Sequence, residues 1–151
     1  MSPGSLTVRL TRRWVKKYST KQLHKKKAWD LWSKIVRISG IIPKTDGLVR
    51  CYTCGRAYRW TEMDAGHYRH NKLDFCEWNI KPQCTHCNKY ESGHRGRYLE
   101  HLIREYGVQV IDWLDIAQKT EPKKRTVLDY LDMIDDFKQR LKKLKEEKEV
   151  K

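Results

Sequence analysis

No stretch of this chain approaches the roughly 18 consecutive apolar residues that a membrane-spanning helix needs, which excludes a membrane span. The N-terminus runs from Met1 and Ser2 into arginine and tryptophan without the apolar segment of a secretory signal, so a reducing compartment is expected. Apolar residues make up only 38% of the 151 positions and charged ones 34%, enough for one small core. Acidic residues are scarce at the start: residues 1–50 hold 2 of them against 13 basic ones. An acidic scaffold is thereby excluded.

What is present is positive charge, a net +14. The excess lies in the N-terminal third, because residues 99–151 carry 12 charges of each sign. Such a balance points to a polyanion, most often nucleic acid. Arg12, Arg13, Lys16 and Lys17 are the candidate phosphate contacts of a basic arm. Trp14, Tyr18, Trp29 and Trp32 interleave with this charge and either stack on bases or anchor the arm to the core.

Local signals order the rest of the chain, which has no internal repeat. Ser19 or Thr20 caps a predicted helix to about Ser39, with Trp29, Trp32, Ile35 and Val36 on one face and Gly40 as its stop. Short strands are predicted at 48–50, 56–60 and 63–69, and a returning strand at 77–81 ahead of Pro82. Helices are predicted over 87–92, 97–106, 108–118 and from Thr126 onward. The last carries the stripe Val127, Leu131, Ile134, Phe137, Leu141, Leu144, which suits either a coiled-coil seam or a face packed on its own domain. This divides the chain into a basic arm and helix (1–47), a core (48–98) and C-terminal helices (99–151).

Five cysteines without a secretory signal argue for a metal site and not for disulfides. Cys51 and Cys54, and Cys84 and Cys87, form two C-x-x-C pairs separated by 29 residues. Two such knuckles complete a tetrahedral thiolate shell, which suits a structural Zn²⁺. Cys76 is left over as a free thiol.

A plain zinc ribbon needs only a hairpin between its cysteine pairs, but this chain places Asp64, His67, Asn79 and Asn88 in or beside that interval. His67 is of the type that serves as a general base, since histidine titrates near neutrality. Asp64 and Asn88 supply the hard oxygen donors that Mg²⁺ or Mn²⁺ prefers, and Asn79 is placed to hold the imidazole in its productive tautomer. Arg69, Lys72, Arg95 and Arg97 flank the interval as further candidate phosphate contacts. His24, His70, His86 and His101 read as ordinary surface or core histidines.

The string Asp64-Ala65-Gly66-His67-Tyr68-Arg69, the run from Asn79 through Gln83 and Cys84 to Cys87-Asn88, and the pair Ser92-Gly93 resemble the NinG (Rap) recombination proteins of lambdoid phages. More broadly they resemble HNH nucleases, including phage endonuclease VII. The likeness runs over about residues 50–118, with weaker agreement in the last helix. It implies an α+β fold: a small zinc-stabilised ββα-metal core with flanking helices. It implies a metal-dependent endonuclease that cuts branched DNA such as Holliday junctions and D-loops. His67 would be the base, Asn79 its positioner, and Asp64 with Asn88 the holders of a catalytic Mg²⁺ or Mn²⁺. It also implies work in the cytoplasm of a bacterial host, alongside host or phage recombination proteins. Paired cuts across a junction favour a homodimer, with the terminal stripe as its seam. One departure stands out. Many HNH proteins carry the metal-binding aspartate directly before the base, where this chain has Gly66 and keeps Asp64 two residues earlier. An HNH nuclease of ordinary duplex and a non-catalytic zinc module that binds DNA are the competing readings.

Overall fold

The computed structural model describes residues 19–70, 73–121 and 124–151. Arg12, Arg13, Lys16, Lys17 and Lys72 lie outside them. The first helix, α1 (Thr20–Ser39), starts where its cap predicts. Ser19 Oγ accepts from Gln22 N–H, and the Gln22 side chain accepts from Ser19 N–H, so two otherwise orphaned donors are satisfied. Gly40 ends it.

Two antiparallel hairpins follow. β1 (Leu48–Arg50) pairs with β2 (Ala57–Arg59), with Val49 opposite Tyr58. A 3₁₀ turn, Trp60–Glu62, leads into β3 (Met63–His67). β3 pairs with β4 (Ile80–Cys84) in a register that sets Met63 opposite Cys84 and His67 opposite Ile80. β4 therefore starts three residues later than the predicted 77–81 and runs through Pro82. The Pro82 carbonyl faces away from β3 and accepts from Tyr52 N–H at 2.8 Å. In an extended residue the N–H points the same way as the C=O, so the donor that proline lacks is not one β3 needs.

A helix was expected over 87–92. The chain instead makes one π-helical segment, His86–Tyr90, with Glu91 N–H on His86 O at 3.1 Å. The wide turn accommodates Cys87, whose own N–H points at Cys84 Sγ at 3.5 Å. Three helices complete the fold: α2 (Arg95–Tyr106), α3 (Val110–Thr120) and α4 (Val127–Glu147), the last opened by a Thr126–Asp129 capping box. Among the described residues, no helix is long and apolar enough to cross a membrane.

Packing joins α1 to α4. Ala28, Trp32, Ile35 and Val36 of α1 form one buried cluster with Ile80 of β4 and with Tyr130, Ile134 and Phe137 of α4. Ile134 and Phe137 of the terminal stripe, with Leu141 and Leu144 partly buried beside them, thus pack within the chain, the alternative to a dimer seam. The buried face is a broad one that includes Tyr130, while Leu131 is 39% exposed. The core also crosses the boundaries drawn at 47 and 98, because α1, β4 and α4 share it. A second cluster, with Ile38, Val49 and Met63, surrounds the cysteines. A third, with Leu73, Tyr98, Leu102 and Leu114, seats α2 and α3 against the loop between β3 and β4.

Candidate functional site

The two knuckles meet. The sulfurs of Cys51, Cys54, Cys84 and Cys87 all lie within 4.8 Å of one another. Gly55, at φ 75°, closes the first knuckle with its N–H on Cys51 O at 2.9 Å. Cys51 is held down to about 6: burial raises its thiol, but hydrogen bonds from Thr53 and from backbone N–H groups outweigh that. Burial pushes Cys87 up to about 12, with the neighbouring sulfurs adding to the effect, and raises Cys54 too. Four thiols this close cannot all ionise unless a cation offsets their repulsion. The donor set can hold a metal such as zinc, whose four-thiolate shell is closed and therefore structural.

The cluster also sets the geometry beside it. Cys84 ends β4 next to Gln83, which stands opposite Asp64. Cys87 precedes Asn88, whose Nδ2 donates to Asp64 Oδ2 at 3.1 Å. Asp64 and Asn88 therefore meet because the residues adjoining each are pinned to the same knuckle. They line an open cleft of about 540 Å³ together with His67, His70, Lys89, and Trp29, Ser33 and Arg37 of α1. Asp64 Oδ1 and Asn88 Oδ1 have no hydrogen-bond partner among the described residues, so two oxygen donors remain for a hard cation.

His67 stands at the end of β3 with its ring stacked on Trp29, centroids 4.9 Å apart, and on His70 at 5.4 Å. Its Nε2 lies 3.2 Å from Asp74 Oδ1, and Asp74 Oδ2 lies 3.4 Å from Lys25 Nζ of α1. Nε2 is thereby engaged and Nδ1 is the nitrogen left without a partner among the described residues. The hydrogen bond with His67 holds the Asp74 carboxyl below the usual carboxylate range, Lys25 adds to this, and burial opposes it.

Gly66 directly precedes His67 on β3. A Cβ there would fall 1.9 Å from Gln83 Oε1. Gln83 is fully buried and anchored by its Nε2 to Thr53 Oγ1 and Gly93 O, so it has nowhere to retreat. A side chain at position 66 is thereby excluded, and the carboxylate of this strand stands at position 64.

A family model described as Bacteriophage Lambda NinG protein matches residues 8–148. The chain belongs to the NinG family. No curated protein and no solved structure matches it. The NinG match is wider than the 50–118 span that carries the motifs and takes in α1 and α4, the helices that close over the β3–β4 hairpin.

In this NinG chain the fold brings together His67, Asp64 and Asn88 but not Asn79. The Asn79 side chain is fully buried: Oδ1 accepts from Arg69 N–H at 2.7 Å, and Nδ2 donates to Arg69 O and Leu73 O. It braces the loop from which His67 and Asp74 face each other, and the group on the imidazole is Asp74. Arg69 also departs from expectation, since its guanidinium is committed to Asp115 at 2.6 Å and Gln118 at 3.1 Å on α3. Arg95 and Arg97 are exposed on α2 and do not line the cleft, Arg95 lying over the Tyr68 ring. Three residues of the site were missed: His70 and Arg37, which line the cleft, and Asp74, which lies behind it on His67 Nε2. The i, i+4, i+8 spacing of Trp29, Ser33 and Arg37 marks one stripe of α1, but nothing local says that this stripe faces β3.

Proposed function

We propose that this chain is a metal-dependent DNA endonuclease of the HNH type that cuts branched recombination intermediates. The observation that supports this best is the pairing of Asp64 with Asn88 in the same cleft as a histidine whose Nε2 is held by a carboxylate. Asp64 and Asn88 would hold Mg²⁺ or Mn²⁺, which when bound supplies positive charge to the phosphate under attack. His67 Nδ1 takes a proton from a water molecule as the water oxygen bonds to phosphorus. Asp74 keeps the Nε2–H tautomer in place and stabilises the imidazolium that results. The bond from phosphorus to the 3′ oxygen breaks, and that oxygen takes up a proton as it leaves. The cysteine cluster holds the residues next to Asp64 and Asn88 and stays out of the reaction.

Selectivity for Holliday junctions and D-loops rests on the likeness to NinG recombination proteins, as do action in the bacterial cytoplasm and cooperation with host or phage recombination proteins. A dimer, where paired cuts need one, uses a surface other than the face holding Ile134 and Phe137. The test is to incubate the zinc-loaded protein with four-way junction, flap and linear duplex DNA, with and without Mg²⁺ or Mn²⁺. Metal-dependent nicking favouring the junction supports the reading. Equal cutting of duplex reduces it to an ordinary HNH nuclease, and junction binding without any nicking overturns it in favour of a binding module.

A further inference from the structure

Among the described residues three arginines are drawn partly into the fold: Arg37, Arg69 and Arg125. Arg69 pairs with Asp115 and Arg125 with Glu121. Among the described residues, Arg37 has no carboxylate within ion-pair distance. Its Nε donates to Ser33 O at 3.0 Å, and Nη1 reaches Trp60 O and Met63 O at 3.4 Å each. The guanidinium lies over the Trp60 ring at 5.5 Å. These contacts fix the plane of the fork without neutralising it and leave Nη2 without a partner among the described residues. Burial shifts the group below the usual arginine value, and Asp64, near enough to act on its charge, works against that shift. A cation taken partly out of water without a counterion is costly unless something anionic arrives.

The place where it stands says what the anion is. Arg37 lines the same cleft as Asp64, His67 and Asn88, and Lys89 adds a second positive charge to its lining. We propose that Arg37 holds an oxygen of a phosphodiester lying in this cleft, so that the strand is gripped beside the residues that attack it. Its identity as a DNA phosphate rests on the nuclease reading above. With Nε and Nη1 already on carbonyls, the guanidinium offers Nη2 to a phosphate oxygen in a fixed plane, which a flexible lysine ammonium does not.

The rival role is purely structural: Arg37 ties α1 to the start of β3 through two carbonyls. Junction binding by the full chain separates the two roles, measured over a salt series with no Mg²⁺ or Mn²⁺ added. For Arg37→Gln the log–log salt slope should flatten by about 0.9, the loss of one phosphate contact on duplex DNA. Arg37→Lys should recover the slope with weaker binding. An unchanged slope in Arg37→Gln overturns the proposal. If that variant does not melt cooperatively, the wild-type Arg37 Nε–Hε resonance decides. A saturable shift on titrating thymidine 3′,5′-diphosphate supports the site, and no shift overturns it. Wild-type protein that binds through Arg37 but never cuts would remove the nuclease reading and leave this site. Wild-type protein that cuts, with the slope of Arg37→Gln unchanged, would remove this site alone.

Discussion

His67 Nε2 lies 3.2 Å from Asp74 Oδ1 across the loop that joins β3 to β4, and the same carboxylate reaches back to Lys25 on α1. The contact links three separate segments and gives the histidine a defined tautomer. Replacing His67 with alanine should lower cutting by about 10²–10⁴, the usual contribution of a general base, while zinc content and junction binding persist. Asp74→Asn should lower it by less. Cutting by His67→Ala within tenfold of wild type would remove its role as base.

Asp74 also carries a pH signature. Its folded-state value is depressed, so the stability it contributes is fully present above the unfolded carboxylate value, near about 3.9, and is lost as pH falls through the lower folded value. The melting temperature of Asp74→Asn should therefore lie below wild type at pH 7, and the two should converge under acid conditions. A gap independent of pH would mean that the asparagine merely packs badly.

Substitutions at the cysteine cluster should behave unlike those in the cleft. Cys84→Ser removes one sulfur from a shell in which all four lie within 4.8 Å of one another, so bound zinc, thermal stability and cutting should fall together. Asp64→Asn and Asn88→Ala should keep the zinc and raise the Mg²⁺ or Mn²⁺ concentration that cutting requires. Elemental analysis of the purified wild-type chain checks the premise, and a protein without zinc would overturn it.

Gly66 has no room for a side chain, since a Cβ would meet Gln83 Oε1 at 1.9 Å and Cδ at 2.7 Å. Gly66→Ala should cost about 1–3 kcal/mol, the range for forcing atoms into a packed interior. Chemical denaturation measures it. A neutral result would show that Gln83 yields and that the close approach places no demand on position 66.

The α1–α4 contact predicts a stability effect of a particular kind. Phe137 is 5% exposed and its ring lies 5.1 Å from that of Trp32. Phe137→Ala should cost about 3–5 kcal/mol, with an unfolding midpoint that does not depend on protein concentration. A midpoint that rises with concentration would restore the stripe as an intermolecular seam.

The features legible in the sequence are those whose cause lies within a few residues. Ser19 and Gln22 cap a helix, Gly40 and Gly107 end helices, Thr126 and Asp129 open α4, and each C-x-x-C pair is a local turn with two sulfurs. The NinG motifs belong to this class, because they are strings of neighbouring residues. Tertiary structure decided what depends on which segments meet. Whether Ile134 and Phe137 face a second chain or α1 is open from periodicity alone, since either partner buries the same apolar stripe. Asn79 has the right chemistry to orient an imidazole, yet its amide is consumed by Arg69 and Leu73, and Asp74, whose neighbours suggested no site, takes that place. Arg37 becomes a cleft residue only when α1 lies along β3, so that a cation distant in the chain is held by backbone carbonyls near Asp64 with, among the described residues, no carboxylate within ion-pair distance.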